Sequence, residues 1–155
     1  RNYCMHTGVR TFEASAFLRR RGADPIAVKK LFADSIEHHK IKNSIVSTAQ
    51  QHKIYAIAVN DNNNLSDEES RIVSSQAADE LLNISGVKAS FVLSRVGDAI
   101  NISARSYGEV NVQLIMERLG GGGHRTMSAC QIEERNFAVA KQLLLEAISK
   151  NEEEN

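Results

Sequence analysis

Gly120-Gly121-Gly122-Gly123-His124-Arg125-Thr126 divides the second half of the chain. Before it, Val112, Ile115, Met116 and Leu119 recur at helical spacing between Val110 and Leu119. After it, Ser128 to Ile132 reads as a strand. Consecutive glycines are costly, because glycine loses more backbone freedom on folding than any other residue. A chain keeps them where backbone comes very close to something or adopts φ > 0 repeatedly. Unobstructed N–H groups in such a turn form a concave donor surface for an anion, and His124 and Arg125 add side-chain donors suited to an oxyanion. The run therefore reads as a phosphate-cradling loop, against the plainer alternatives of a linker or a helix C-cap. A P-loop is excluded, since no strand precedes the run and no Lys-Ser/Thr pair closes it. The dinucleotide fingerprint fails for the same reason.

Working outward, Val87 to Arg95 and Ala99 to Ser106 form a hairpin around Val96-Gly97-Asp98. The second strand alternates: Ile100, Ile102 and Ala104 face a core, while Asn101, Ser103 and Arg105 face the other way. Ser103, Arg105 and Ser106 are polar donors at a strand end, a pattern shared by binding sites and by solvated sheet faces. Upstream, Ile54 to Val59 is a short strand. Ser66 and Glu69 form a capping box for a helix that runs to about Asn83, on which Gln76 and Asp79 share a face. Asp61-Asn62-Asn63-Asn64 lacks the spacing of a calcium loop. A final helix is expected from Asn136 to Lys150, with 151–155 as a disordered tail.

The first third is helical. Thr11 to Arg21 is capped by Thr11 and stopped by Gly22; a second helix starts at Asp24-Pro25; a third runs from Ser35 to Gln51. Glu37-His38-His39 on the third is not a metal site, because adjacent helical residues point about 100° apart. Strands alternating with helices, plus one hairpin, make the fold α/β with a mixed sheet, preceded by a helical segment.

The 155 residues carry no formal net charge and an ordinary composition. No apolar run approaches the roughly 18 residues of a membrane span, and no signal peptide opens the chain. Cys4 and Cys130 have no partners at metal spacing, which leaves a reducing compartment as the default. The basic start, from Arg1 to Lys30, is read as a solvated helix face. The first residue is Arg, so the chain is expected to belong to something longer.

Ser103-Ala104-Arg105-Ser106, Glu109-Val110-Asn111-Val112 and Gly120 to His124, in that order, resemble the DHH-associated C-terminal domain of DHH phosphoesterases. Thr7 to Ala14, Gly22-Ala23-Asp24, Gln76-Ala77-Ala78-Asp79 and Ile102 to Gln113 make the GdpP-type cyclic di-AMP phosphodiesterases the nearer match. The resemblance covers nearly the whole chain. It implies the end of a DHH catalytic domain at 1–34, a connector helix at 35–52 and the DHH-associated substrate-binding domain at 53–150. Two Mn²⁺ ions would lie on a DHH domain in cis, upstream of Arg1-Asn2-Tyr3, with no metal ligand and no catalytic residue in this chain, which alone would be inactive. Ser103, Arg105, Ser106, Asn111, Gly121, Gly122, Gly123 and His124 would grip the phosphates of a cyclic dinucleotide hydrolysed to linear pApA. Arg125-Thr126-Met127-Ser128 departs from the Ala-rich continuation common in the family, and its extra charge would shift substrate preference. The resemblance further implies a cytoplasmic domain without membrane contact of its own, membrane helices elsewhere in the intact protein, and room for a homodimer.

Two other functions fit the same residues. One is an oligoribonuclease or RecJ-like phosphodiesterase acting on short nucleic acids, although the glycine-loop half has few aromatic residues for stacking long strands. The other is a nucleic-acid-binding module without chemistry, like the related glycine-rich domain of alanyl-tRNA synthetases.

Overall fold

The computed structural model describes residues 7–33 and 35–154, so Arg1-Asn2-Tyr3 and Cys4 lie outside the described residues. The chain divides into two units, Arg1–Ile36 and Glu37–Asn155.

The first unit holds α1 (Val9–Arg20) and α2 (Pro25–Lys30), neither of which buries a residue. Gly8, not Thr11, is the N-cap of α1, in extended conformation and without a side-chain cap bond. Thr11 lies inside the helix, its N–H bonded to the Gly8 carbonyl at 3.0 Å. At α2 the Asp24 carboxylate accepts from Ile26 N at 2.9 Å, and Pro25 supplies a preset φ at the first helical position. Phe12, Phe17, Leu18, Ile26, Leu31 and Phe32 are all exposed, so the described residues of this unit form no core of their own.

The second unit is a six-stranded sheet in the order β1-β2-β3-β4-β6-β5. Its strands are β1 (Gln50–His52), β2 (Tyr55–Asn60), β3 (Ala89–Val96), β4 (Ala99–Ser106), β5 (Gly122–His124) and β6 (Met127–Ile132). Only β2 and β3 pair in parallel, joined by the crossover helix α4 (Asp67–Leu81); every other pair is antiparallel. α4 begins at the capping box, with Ser66 Oγ accepting from Glu69 N and the Glu69 carboxylate accepting from Ser66 N at 3.0 Å. The Ser66 bonds hold the Glu69 carboxyl below the usual range.

Two apolar layers sandwich the sheet. On one face Phe91, Leu93, Ile100, Ile102 and Ala104 pack against α5 (Val112–Glu117) and α6 (Phe137–Glu153). On the other, Ala56, Ala58 and Val92 pack against Val73, Ala77 and Leu81 of α4 and Ile45 of α3 (Ile36–Ser47). Burial on both faces accounts for the consecutive apolar Phe91-Val92-Leu93 at the centre of β3 and for the burial of Ser90 and Ser94 beside them.

Three stretches differ from the sequence reading. The third helix ends at Ser47, and Gln50-Gln51-His52 turns back through Lys53 (φ 55°) to pair with β2. Ile45 is buried in the same apolar layer as α4, with Ile41 and Val46 partly buried against it. The tail is helical through Glu153: Asn151 is buried, Glu152 meets Lys53 Nζ at 2.8 Å, and Glu154 pairs with Arg118. The glycine run is not a loop throughout, because its second half is the edge strand β5. No helix among the described residues is long and apolar enough to cross a membrane.

Candidate functional site

Each glycine of the run answers a different requirement. Gly120 ends α5 at φ 79°, where its N–H reaches Glu117 O at 3.1 Å, and Gly121 N bonds Met116 O at 2.9 Å. A Cβ on Gly121 would sit 2.3 Å from Ala129 O, and one on Gly123 (φ 145°) would sit 2.6 Å from Met127 O. Those two are glycines because β6 lies against them. Gly122 is different: its φ is not in the left-handed region and nothing lies within 4 Å of where its Cβ would be. The fold leaves that space open.

The open space belongs to a cleft of about 560 Å³. Register explains it. Helix α4 covers β2, β3 and part of β4, while on the same face Met127 and Ala129 of β6 and His124 of β5 are exposed. Ser103 pairs with Ala129 and Ala129 with Gly122, so three small residues in one cross-strand row form the floor. Arg71, Ile72, Ser75 and Gln76 of α4 form a wall, and Asn101, Arg105 and Met127 complete the lining.

Arg105 is held to the wall. One terminal nitrogen donates to Ser75 Oγ and the other to Ala104 O at 2.9 Å. Its Nε stands 3.3 Å from Asp79 Oδ1, an ion-pair contact rather than a directed hydrogen bond. With only 13% of its side chain exposed, Arg105 is fixed in direction. Arg71 is a second guanidinium, tied to Gln131 Oε1 at 3.3 Å. The lining itself holds two arginines and no carboxylate; Asp79 behind it offsets the charge of Arg105, and Arg71 adds a second positive charge that suits an anion.

The residues expected to bind phosphate therefore separate. Ser103, Arg105, Gly122 and Gly123 line the cleft. Gly121 is a packing residue against β6. Ser106 faces the opposite side of the sheet from Arg105, as strand alternation requires, and its hydroxyl donates to Val110 O at 2.7 Å. The Asn111 side chain caps α5 by accepting from Gln113 N at 3.2 Å. Arg125 donates from Nε to Gly108 O at 2.9 Å, tying the β5–β6 turn to the β4–α5 loop. His124 shares the face of Arg105 by register and is exposed, beyond the residues that enclose the cleft.

The α4 wall was not read as a site from the sequence. Its signal was the polar stripe Arg71, Ser75, Asp79 at four-residue spacing, opposite the apolar Val73, Ala77 and Leu81. Among the described residues no three His, Cys, Asp or Glu side chains gather where they could hold a metal ion. His38 Nε2 instead lies 3.9 Å from Glu69 Oε1.

The DHHA1 domain model matches residues 52–150, and the chain belongs to that family. Over 151 residues it is 45% identical to the cyclic-di-AMP phosphodiesterase GdpP of Geobacillus thermodenitrificans, a match covering 96% of this chain and 22% of that protein. Cyclic-di-AMP phosphodiesterase PdeA of Listeria monocytogenes is 39% identical over 150 residues, again 96% of this chain and 22% of that protein. The chain thus spans about a fifth of the length of these curated relatives. A crystal structure of an exopolyphosphatase-related protein from Bacteroides fragilis superposes with a TM-score of 0.75 at 21% identity, covering 93% of this chain and 44% of that one. At that identity the likeness is one of fold.

Proposed function

We propose that this chain is the substrate-gripping domain of a phosphodiesterase that hydrolyses cyclic di-AMP to linear pApA. The observation that carries the reading is the cleft: two arginines, no carboxylate and an unfilled position at Gly122. It sits in a chain 39–45% identical to proteins named for that activity. In this reading a substrate phosphate lies over the Ser103–Ala129–Gly122 floor and takes charge-assisted hydrogen bonds from Arg105 and a hydroxyl bond from Ser103. An edge strand has N–H groups that its neighbour does not use, so β5 adds backbone donors beside Gly123. His124 on the same face serves the substrate's second phosphate.

The chemistry of these residues is positioning and charge neutralisation, which lower the barrier by holding the reacting phosphoryl group where charge develops. Asp79 and Ser75 fix the Arg105 guanidinium before substrate arrives, so little ordering is left to do on binding. Two Mn²⁺ ions would activate water when bound to a DHH domain outside these residues. Among the described residues no three His, Cys, Asp or Glu side chains gather where they could hold such ions.

The test is hydrolysis of cyclic di-AMP by the full-length protein with Arg105→Ala and, separately, Gly122→Val. Each should lower kcat/KM by at least about 30-fold, with the melting temperature of Gly122→Val unchanged. If both variants stay within about threefold of wild type, the cleft is not the substrate site.

A further inference from the structure

Gln76 stands on the cleft wall one turn beyond Ile72 and is half-buried, yet its amide makes no hydrogen bond to any described residue. The other amides near the cleft are engaged: Asn101 donates to Ser103 Oγ at 3.4 Å, and Gln131 accepts from Arg71. The Gln76 amide atoms are not among the buried polar atoms without a partner, so its donor and acceptor are open to the cleft and available to a ligand. Two exposed apolar side chains line the same cleft, Ile72 of α4 and Met127 of β6, at 47% and 50% exposure. No aromatic residue lines the cleft.

We propose that Gln76 reads the edge of a nucleobase, and that it selects adenine. The inference rests on the cleft being the nucleotide site. A carboxamide offers one acceptor beside two donors, which matches the N6 donor and N7 acceptor of adenine in a bidentate pair. Guanine presents two acceptors, O6 and N7, and asks for a two-donor group such as Arg instead. The base lies between Ile72 and Met127, whose aliphatic and polarisable thioether surfaces cover its faces. The phosphate then falls toward Arg105, across the wall from Gln76. Selection comes from one side chain on a helix whose other face is locked in the core by Val73 and Ala77, so its position is firm.

The experiment compares kcat/KM for cyclic di-AMP and cyclic di-GMP in the full-length protein. It uses wild type, Gln76→Ala, Gln76→Arg and Arg105→Ala. Alanine favours helix and fills less space, so the fold should tolerate Gln76→Ala. The expected result is a fall of about 5- to 100-fold for cyclic di-AMP with little change for cyclic di-GMP, and a shift of preference toward cyclic di-GMP in Gln76→Arg. An equal fall for both substrates, or an unchanged ratio in both Gln76 variants while Arg105→Ala disables both reactions, overturns base reading and leaves the site standing. Full activity in Arg105→Ala and Gly122→Val removes the site, and this inference with it.

Discussion

Arg105 and His124 occupy one cross-strand row: Arg105 pairs with Met127 on β6, and Met127 pairs with His124 on β5. Residues in one row point to the same face, and the backbones of Arg105 and His124 stand two strand spacings apart, about 10 Å. Fifteen residues of loop, helix and glycine run, 107–121, separate the two strands in sequence, and register brings them together.

For Arg105 the expected outcome is graded. Arg105→Ala should cost roughly 2–4 kcal/mol in kcat/KM. Arg105→Lys should recover only part of it, because a single ammonium cannot meet Ser75, Asp79 and a phosphate together. Asp79→Asn keeps the charge in the cleft and loosens its direction, so it should cost less than Arg105→Ala. A steady-state comparison of the three variants checks the order.

Three of the glycines should separate stability from binding. Gly121→Ala and Gly123→Ala force a Cβ into the β6 backbone and should destabilise by about 2 kcal/mol or more. Gly122→Val should leave the chemical-denaturation midpoint where it is and block cyclic di-AMP binding. Equal destabilisation across all three would mean that the open space at Gly122 is not there in solution.

His124→Ala removes an exposed ring and should not move the melting temperature. It should lower kcat/KM by about tenfold. A change of less than twofold, measured beside Arg105→Ala, would place only the Arg105 end of the row in contact with substrate.

Alkaline pH supplies a test of the core. Burial pushes the Cys130 thiol from 9.0 up to about 12, offset only in part by the Ile102 backbone. The unfolded chain therefore loses the thiol proton near pH 9 while the folded chain keeps it, and stability falls as pH rises between about 9 and 12. The loss should be about 1 kcal/mol between pH 9 and pH 10. Tyr55, raised to about 12 by burial and by Glu152, adds to it above pH 10. Denaturant midpoints at pH 8 and pH 10 should differ by less in Cys130→Ala than in wild type.

Much of this fold was legible because it is local. The second strand of the β3–β4 hairpin alternates cleanly, Ser66 and Glu69 announce α4, and Asp24-Pro25 announces α2. The two edge strands were not legible. β1 is Gln50-Gln51-His52, without an apolar face, and β5 is mostly glycine. Both are strands only because a neighbour pairs with them. The end of α6 likewise depends on Lys53 and Arg118, far away in sequence. In the site, proximity in sequence misled at Ser106 and Asn111, which sit near Arg105 but serve the chain turn and the α5 cap. The strand period alone places Ser106 on the wrong face. No sequence rule joins α4 to β4 through Asp79 and Arg105, because that contact exists only once the crossover is made.

Helix α4 carries Val73 and Ala77 into the core on one side and Arg71, Ser75 and Gln76 to the cleft on the other. Its inner residues cannot be resized without moving its outer ones. A methyl added at Ala77 would reach the melting curve and the choice of ligand at once, since a displacement of an ångström is enough to spoil an oriented contact. In this domain, robustness and selectivity are therefore one inherited trait: drift in the interior is audible at the surface, and the helix can evolve only as a whole.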